Sequence, residues 1–423
     1  MDSNSLFMRI GIDARCLLDE NLTGVSRATL EISRALANTH PNWEFFLFVS
    51  GSKRVQSRLP QDWPINVNIC SVRYPNKLVS LGFWLKWWSL DALIDQPIDC
   101  WLVPKFSFFN TNSPYLLIVH DLAFEFLPET ITIWKHFYHR LLNIKKQTGG
   151  ASKVLVPTAR VAADLELLWK IAPDKIEVVS LGGGSRGQVG NVELCPVESS
   201  GPVRIKDELS IRPYFLSLAT IEPRKNFACL LAAYARYKAM VPTGPRLVIA
   251  GAIGWKNRGI KQLLEEHPNR KEIELLGFVK EENKMNLYRH AVAFIWPSLY
   301  EGFGLPPLEA LTEQTRVISG SFGGGLEVLG QLMTTPSNPG IILFNPYSVS
   351  DLTEAMIKIT DLSKMMPNEL ELLIARTFSW ENTARKVGEL VGTVSLPHHA
   401  QTNRGGVKDP LRPREMRGGG PEN

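Results

Sequence analysis

Cysteine is scarce in this 423-residue chain. Cys16, Cys70, Cys100, Cys195 and Cys229 are scattered, with no C-x-x-C pair and an odd count. That spacing gives neither a disulfide framework nor a zinc cluster and points to a reduced compartment. Charge of one sign is scarce too: 47 Lys and Arg stand against 42 Asp and Glu, a net +5. So small an excess excludes a nucleic-acid partner as the expected one. It suits a protein that handles phosphate or rests on an anionic membrane surface. No run of about 20 apolar residues is present to cross a bilayer, because Lys86 and Asp91 interrupt the most apolar stretch, 78–94. The first eight residues lack the basic-then-apolar order of a signal peptide, so a cytoplasmic protein is expected. Absent as well are G-x-G-x-x-G after the first strand-like run and G-x-x-x-x-G-K-[ST] anywhere. Nicotinamide enzymes and P-loop NTPases are set aside on that ground.

What is present is a repeated alternation. Short apolar runs closed by Gly, Pro, Asp or Ser occur at 9–12, 45–49, 67–72, 101–103, 115–119, 153–156 and 175–179. Others follow at 214–217, 246–249, 272–276, 293–296, 316–318 and 341–344. The runs do not alternate apolar with polar residues, which predicts strands buried on both faces. Helix-like stretches lie between most of them, at 26–38 with Ser26 as cap, 158–170, 226–240 and 281–290. Strand, helix, strand through both halves predicts an α/β protein of two doubly wound domains. The expected divisions are 1–185, a Gly- and Ser-rich linker over 186–205, and a second domain over 206–378. A helix over 379–391 packs back on the first domain in this reading, and a disordered tail runs over 392–423.

Four segments can carry chemistry. In 293–315, AFIWPSLYEGFGLPPLEALTEQT, a buried strand runs into a Gly-containing loop and then a helix begun at Pro306–Pro307. Gly302 and Gly304 admit close backbone approach, and the N–H groups of Phe303, Gly304 and Leu305 open a helix N-terminus suited to phosphate. Glu309 can accept hydrogen bonds from vicinal ribose hydroxyls while Glu301 reaches another hydroxyl; otherwise both merely favour the helix dipole or face water. In SLATIEPRKNF, Arg224 and Lys225 stand at a strand's carboxyl end, where a fork and a point charge can neutralise a diphosphate. In YLLIVHDLAFEFLPE, His120 and Asp121 also follow a buried strand and can serve acid–base or acceptor-binding roles, or be a core histidine and a turn cap. Gly24, in NLTGVS, can admit a phosphate or simply make the turn.

These segments together resemble glycosyltransferase family 4 (glycosyl transferases group 1). EGFGLPPLE resembles its E-x7-E motif, LATIEPRKN its diphosphate segment, TGVSRATLEISRAL its N-terminal Gly loop and VHDLAFEFLPE its acceptor-side His-Asp loop. LLGFVKEENKMNLYRHA and FSWENTARKV resemble the run before E-x7-E and the closing helix, so the likeness covers about residues 8–391 in family order. The resemblance implies the retaining GT-B type, two Rossmann-like domains facing across a cleft. It assigns Arg224 and Lys225 to the donor diphosphate, Glu309 to ribose, Glu301 to the transferred sugar and the Gly277–Val279 backbone to the base. It places His120 near the reacting sugar. No cofactor or metal is implied, and no D-x-D pair exists here. A nucleotide-sugar donor, which the TIEPRKN segment likens to a mannosyl one, and a saccharide or lipid-linked acceptor in polysaccharide assembly are the implied partners.

The chain departs from the family at 321–327, SFGGGLE, next to the donor sugar, and at Ser26, where glycine is common. A G-x-S-x-G match at 183–187 runs into polar linker rather than helix, which argues against a serine hydrolase. Two aromatic and cationic stretches, 78–90 and 134–146, either pack their tryptophans on the first sheet or rest at the inner membrane surface. A non-catalytic two-domain nucleotide-sugar-binding or regulatory protein is the alternative function. Retention of Glu301, Glu309 and Lys225 favours the enzyme.

Overall fold

The computed structural model describes residues 7–19, 23–52, 58–60, 62–183, 212–333, 340–361 and 368–394. The expected linker at 186–205, Cys195, the serine of the 183–187 match and the tail from 395 lie outside the described residues. The expected tail begins three residues too early, because the closing helix runs over Trp380–Val394.

Among the described residues thirteen strands form two sheets, and every pairing between them is parallel. The first holds β1 (Arg9–Asp13), β2 (Glu44–Ser50), β3 (Val67–Val72), β4 (Cys100–Val103), β5 (Tyr115–Ile118), β6 (Lys153–Val156) and β7 (Ile176–Val178). Their order is β3-β2-β1-β4-β5-β6-β7. The second holds β8 (Tyr214–Leu218), β9 (Arg246–Ala250), β10 (Ile273–Gly277), β11 (Ala293–Trp296), β12 (Val317–Gly320) and β13 (Ile341–Phe344), in the order β10-β9-β8-β11-β12-β13. Each order reverses once, between β1 and β4 and between β8 and β11. Outside the carboxyl ends at such a switch point lies the crevice of a doubly wound sheet.

Central strands are apolar throughout because helices cover both faces: Ile10, Ile12, Phe45, Leu102 and Leu116 of the first sheet and Phe215, Val248, Phe294 and Ile318 of the second are buried. The expectation of two-sided burial fails at the edge. In β3, Asn68, Ile69 and Ser71 are exposed, since an edge strand has a neighbour on one side only.

Caps correct two local expectations. The first long helix, Gly24–Thr39, is capped by Thr23, whose Oγ1 accepts from Ser26 N at 3.2 Å. Ser26 is therefore inside the helix and buried, and Gly24 is its exposed first residue rather than a loop residue. The cap of the Phe227–Met240 helix is Asn226, left-handed at φ 58°, with Nδ2 donating to the Pro297 and Pro346 carbonyls. Asparagine tolerates that conformation better than most residues.

The Trp380–Val394 helix packs against Gly24–Thr39 of the first half, with Ala384, Val387, Leu390 and Val391 buried there. A Cβ on Gly388 would strike the His40 ring. The chain thus crosses between halves twice, and the crossings are tied: Gly183 N donates to the Phe378 carbonyl at 2.9 Å and Thr383 Oγ1 to the Ser180 carbonyl at 2.7 Å. Among the described residues no helix is long and apolar enough to cross a membrane.

Candidate active site between the two switch points

The carboxyl ends of the two sheets meet. His120 and Asp121 follow β5, the Pro223–Lys225 turn follows β8, and the 297–304 loop follows β11. A Cβ added to Gly302 would fall 1.7 Å from the His120 carbonyl oxygen and 3.0 Å from Asp121 Cβ. Only glycine permits so close an approach of one half's loop to the other's.

A charge cluster occupies this junction. Glu301 Oε1 accepts from Lys225 Nζ at 2.5 Å, and its Oε2 lies 3.1 Å from Arg224 Nη1. Arg224 also reaches Glu222 at 3.3 Å and Asp121 of the first half at 3.5 Å, and donates to the Tyr300 carbonyl at 3.1 Å. Lys225 Nζ stands 4.3 Å from the centre of the Trp296 ring, a cation–π contact. Burial disfavours every charge here, yet Arg224 and Lys225 hold the Glu301 carboxyl below its usual range. The Arg224 guanidinium, buried but faced by Glu301, Asp121 and Glu222, is held above its own usual value. For Lys225 burial outweighs Glu301, and its pKa is lowered.

His120 is fixed by its Nε2, 2.9 Å from the Pro104 carbonyl. A carbonyl only accepts, so Nε2 carries the proton and Nδ1 is the basic nitrogen. Burial lowers the pKa of this imidazole. Of the roles considered for Asp121 the turn cap is seen, Oδ1 accepting from Ala123 N at 3.0 Å, and Oδ2 faces Arg224 at 3.5 Å.

Gly304, at φ 94°, opens the Leu305–Thr312 helix, whose first N–H groups form its positive end. Leu305 is half-buried, and Phe303 turns into the core against Phe378. Glu309 is the fifth residue of that helix rather than a first-turn residue, and it is buried. Its carboxylate is already held, by Arg27 of the first half at 2.5 Å and by the Tyr288 hydroxyl at 3.0 Å. Gly277, at φ 68°, ends β10 and accepts from Gly251 N, while Val279 is buried two residues on. Gly24 has no heavy atom within 4 Å of its would-be Cβ and is not drawn into the cluster.

Several residues at this junction carried no assignment from sequence. Arg27 and Tyr288 lay in family-like segments, but nothing local pointed them at Glu309. Thr158 Oγ1 donates to the Gly302 carbonyl at 2.9 Å, and Glu327, at the end of the atypical 321–327 stretch and in the first turn of the Gly324–Leu332 helix, accepts from Ala159 N and Arg160 N at 3.0 and 2.9 Å. That places a carboxylate at the positive end of the Ala159–Trp169 helix of the opposite half. The Tyr300 hydroxyl donates to Asp164. A lone acid after a glycine run is the one signal by which Glu327 was findable. Among the described residues no group of three or more His, Cys, Asp or Glu side chains is placed to hold a metal ion.

Two parallel doubly wound sheets meeting at their switch points define the GT-B class. Solved structures agree. Sucrose-phosphate synthase from Thermosynechococcus elongatus superposes with a TM-score of 0.67 at 18% identity over 91% of this chain and 98% of that one. The lipopolysaccharide-biosynthesis glycosyltransferase WaaG gives 0.59 at 15% identity over 93% and 98%. Within that class, residues 204–370 match the model for glycosyl transferases group 1. Among curated relatives, O-antigen chain mannosyltransferase B of Escherichia coli is 32% identical over 240 residues, 57% of this chain and 60% of that one. The serotype-specific mannosyltransferase WbdA of Escherichia coli is 32% identical over 64% of this chain. The alignments span 60% of the first relative's length and 33% of the second's.

Proposed function

We propose that this protein is a retaining, metal-independent glycosyltransferase that moves a hexose, mannose, from a nucleotide sugar to a saccharide or lipid-linked saccharide in polysaccharide assembly. The observation that carries the reading is the Arg224–Lys225–Glu301 cluster at the β8/β11 switch point, within 3.5 Å of Asp121 from the other half. The name of the mannosyltransferases at 32% identity supports the choice of sugar.

Breaking the bond between the anomeric carbon and the diphosphate leaves negative charge on the departing oxygen. Arg224 and Lys225 are cations preorganised to take it, which is the work a metal does in other transferases. Glu309 holds the ribose once Arg27 gives way. Glu301 takes a hydroxyl of the transferred sugar, and His120, positioned through Pro104, offers Nδ1 to a hydroxyl on the acceptor side.

The test is a thermal shift of the full chain with GDP, UDP and ADP, each with and without EDTA, followed by GDP-mannose turnover. A nucleotide at 100 times its dissociation constant stabilises the fold by about 2.7 kcal/mol. One nucleotide is expected to act, EDTA to change nothing, and the product to keep the donor's anomeric configuration by NMR. No shift with any nucleotide sinks the reading and favours a protein that binds something else in the same cleft.

A further inference from the structure

The first half carries two segments whose large apolar side chains point outward. In the Ile133–Leu142 helix, Ile133, Trp134, Phe137, Tyr138 and Leu141 are exposed, Trp134 at 81%, and only Leu142 is buried. Spacing of one, four, five and eight from Ile133 makes these a single stripe. Around the Asn76–Trp84 helix, Leu78, Leu81, Trp84 and Trp87 are exposed as well, Trp87 at 72%. Of the two readings open for these tryptophans, packing on the sheet holds for Trp88, which is partly buried against the first-half core, but not for Trp84, Trp87 or Trp134. The segment between β4 and β5 joins the two faces: the Phe108 ring meets Tyr138 edge-on at 5.6 Å, and Asn110 Nδ2 donates to the Phe83 carbonyl at 2.8 Å.

Charge says what covers this surface. No acidic residue occurs between Glu129 and Asp164, or between Asp62 and Asp91. Exposed cations stand in both windows, Arg73, Lys77 and Lys86 in one and Arg140, Lys145 and Lys146 in the other. A contact with a second copy of the chain needs an apolar stripe but gains nothing from the cations that flank it. A bilayer surface uses both, aromatic rings at the headgroup level and cations at the phosphates.

We propose that this face docks on an anionic bilayer, with the Ile133–Leu141 stripe and the Trp84–Trp87 turn lying in the headgroup layer. The stripe borders the candidate site: Lys135 Nζ lies over the Trp255 ring of the second half, and Trp255 Nε1 donates to the Thr130 carbonyl at 2.8 Å. Docking therefore brings the junction of the two halves to the lipid surface. A lipid-linked acceptor as the reason for docking rests on the proposed transfer; the docking itself does not.

The experiment is flotation of the full chain with phosphatidylcholine vesicles alone and with about 30% phosphatidylglycerol. Binding is expected only with the anionic lipid and is lost in about 0.5 M salt. A Trp134→Ser/Phe137→Ser double variant and a Lys145→Glu/Lys146→Glu double variant each weaken partition by about tenfold or more. Unchanged circular dichroism and an unchanged nucleotide thermal shift in the same variants show that fold and donor site are intact. Brominated lipid quenching the fluorescence that disappears in Trp134→Ser identifies the inserted ring. Equal binding to neutral vesicles, no binding, or wild-type binding by both variants overturns the proposal. So does a concentration-dependent dimer that Trp134→Ser dissolves in the absence of any lipid binding, which makes the face a contact between copies.

Discussion

Arg27 and Glu309, 282 residues apart, form an ion pair across the junction at 2.5 Å, with the Tyr288 hydroxyl on the other carboxylate oxygen. The carboxylate proposed to hold ribose is thus engaged by the opposite half. A donor has to displace one partner to gain the other. In Arg27→Ala that competition is gone, and the dissociation constant for the nucleotide is expected to fall about three- to tenfold while turnover drops. In Glu309→Ala nucleotide binding is lost with a much smaller effect on melting temperature. Calorimetric titration of both variants decides: nucleotide affinity unchanged in Arg27→Ala would remove the competition.

In the proposed reaction Lys225 and Arg224 divide the charge of the donor diphosphate. Lys225→Met is expected to lower kcat/KM by about 10²–10³-fold, as loss of one preorganised stabilising group does elsewhere. It should weaken a nucleoside diphosphate far more than the monophosphate. Equal weakening of the two in direct binding would place Lys225 away from the outer phosphate.

Gly302 lets the two halves touch. In Gly302→Ala the new methyl collides with the His120 carbonyl oxygen, which is backbone and cannot rotate aside. Separation of the loops by even about 1 Å is expected to lower turnover about 10²-fold. Each sheet's far-ultraviolet signature stays intact. A variant with wild-type turnover and a wild-type radius of gyration in solution scattering would show that the contact has no part in closure.

Acid should destabilise the protein in a defined window. Burial lowers the pKa of His120 from the usual 6.5, and His40 and His139 are shifted the same way by burial. A histidine with a depressed folded-state pKa binds its proton more readily when unfolded. Its contribution is whole above about pH 6.5 and is lost as the pH falls through the lower folded-state value. Denaturant unfolding at about pH 7.5 and about pH 5.5 is expected to show less stability at the lower pH. The difference should be smaller in His120→Gln. An equal difference in that variant would assign the whole effect to other groups.

Fold and site were legible to different depths, for physical reasons. Strands such as β8 and β11 announced themselves because a buried parallel strand is a short apolar run closed by Gly, Pro or polar residues, a pattern that lies within one window of sequence. The halves of the cluster, Arg224–Lys225 and Glu301, were findable because each sits at a strand's carboxyl end. What was not legible is who meets whom. Glu309 looked like a first-turn carboxylate free to bind, and nothing near it in sequence names Arg27 or Tyr288 as its partners. The same holds for Thr158 on Gly302 and Glu327 on the Ala159–Trp169 helix. Caps fail on a smaller scale: Ser26 and Thr23 are both good capping residues, and choosing between them depends on where the chain arrives from.

The Trp380–Val394 helix has a consequence for synthesis. It is the last described element in the sequence, yet it covers the apolar face of Gly24–Thr39, one of the first. While the ribosome is still making the second half, the face of Gly24–Thr39 that this helix covers has no permanent partner. The first half can assemble its sheet early but closes its core only after residue 394 has left the exit tunnel. A nascent chain of this protein therefore carries an open apolar groove for most of its translation, and a fragment ending at residue 183 should keep that groove and aggregate, with added 380–394 peptide restoring solubility.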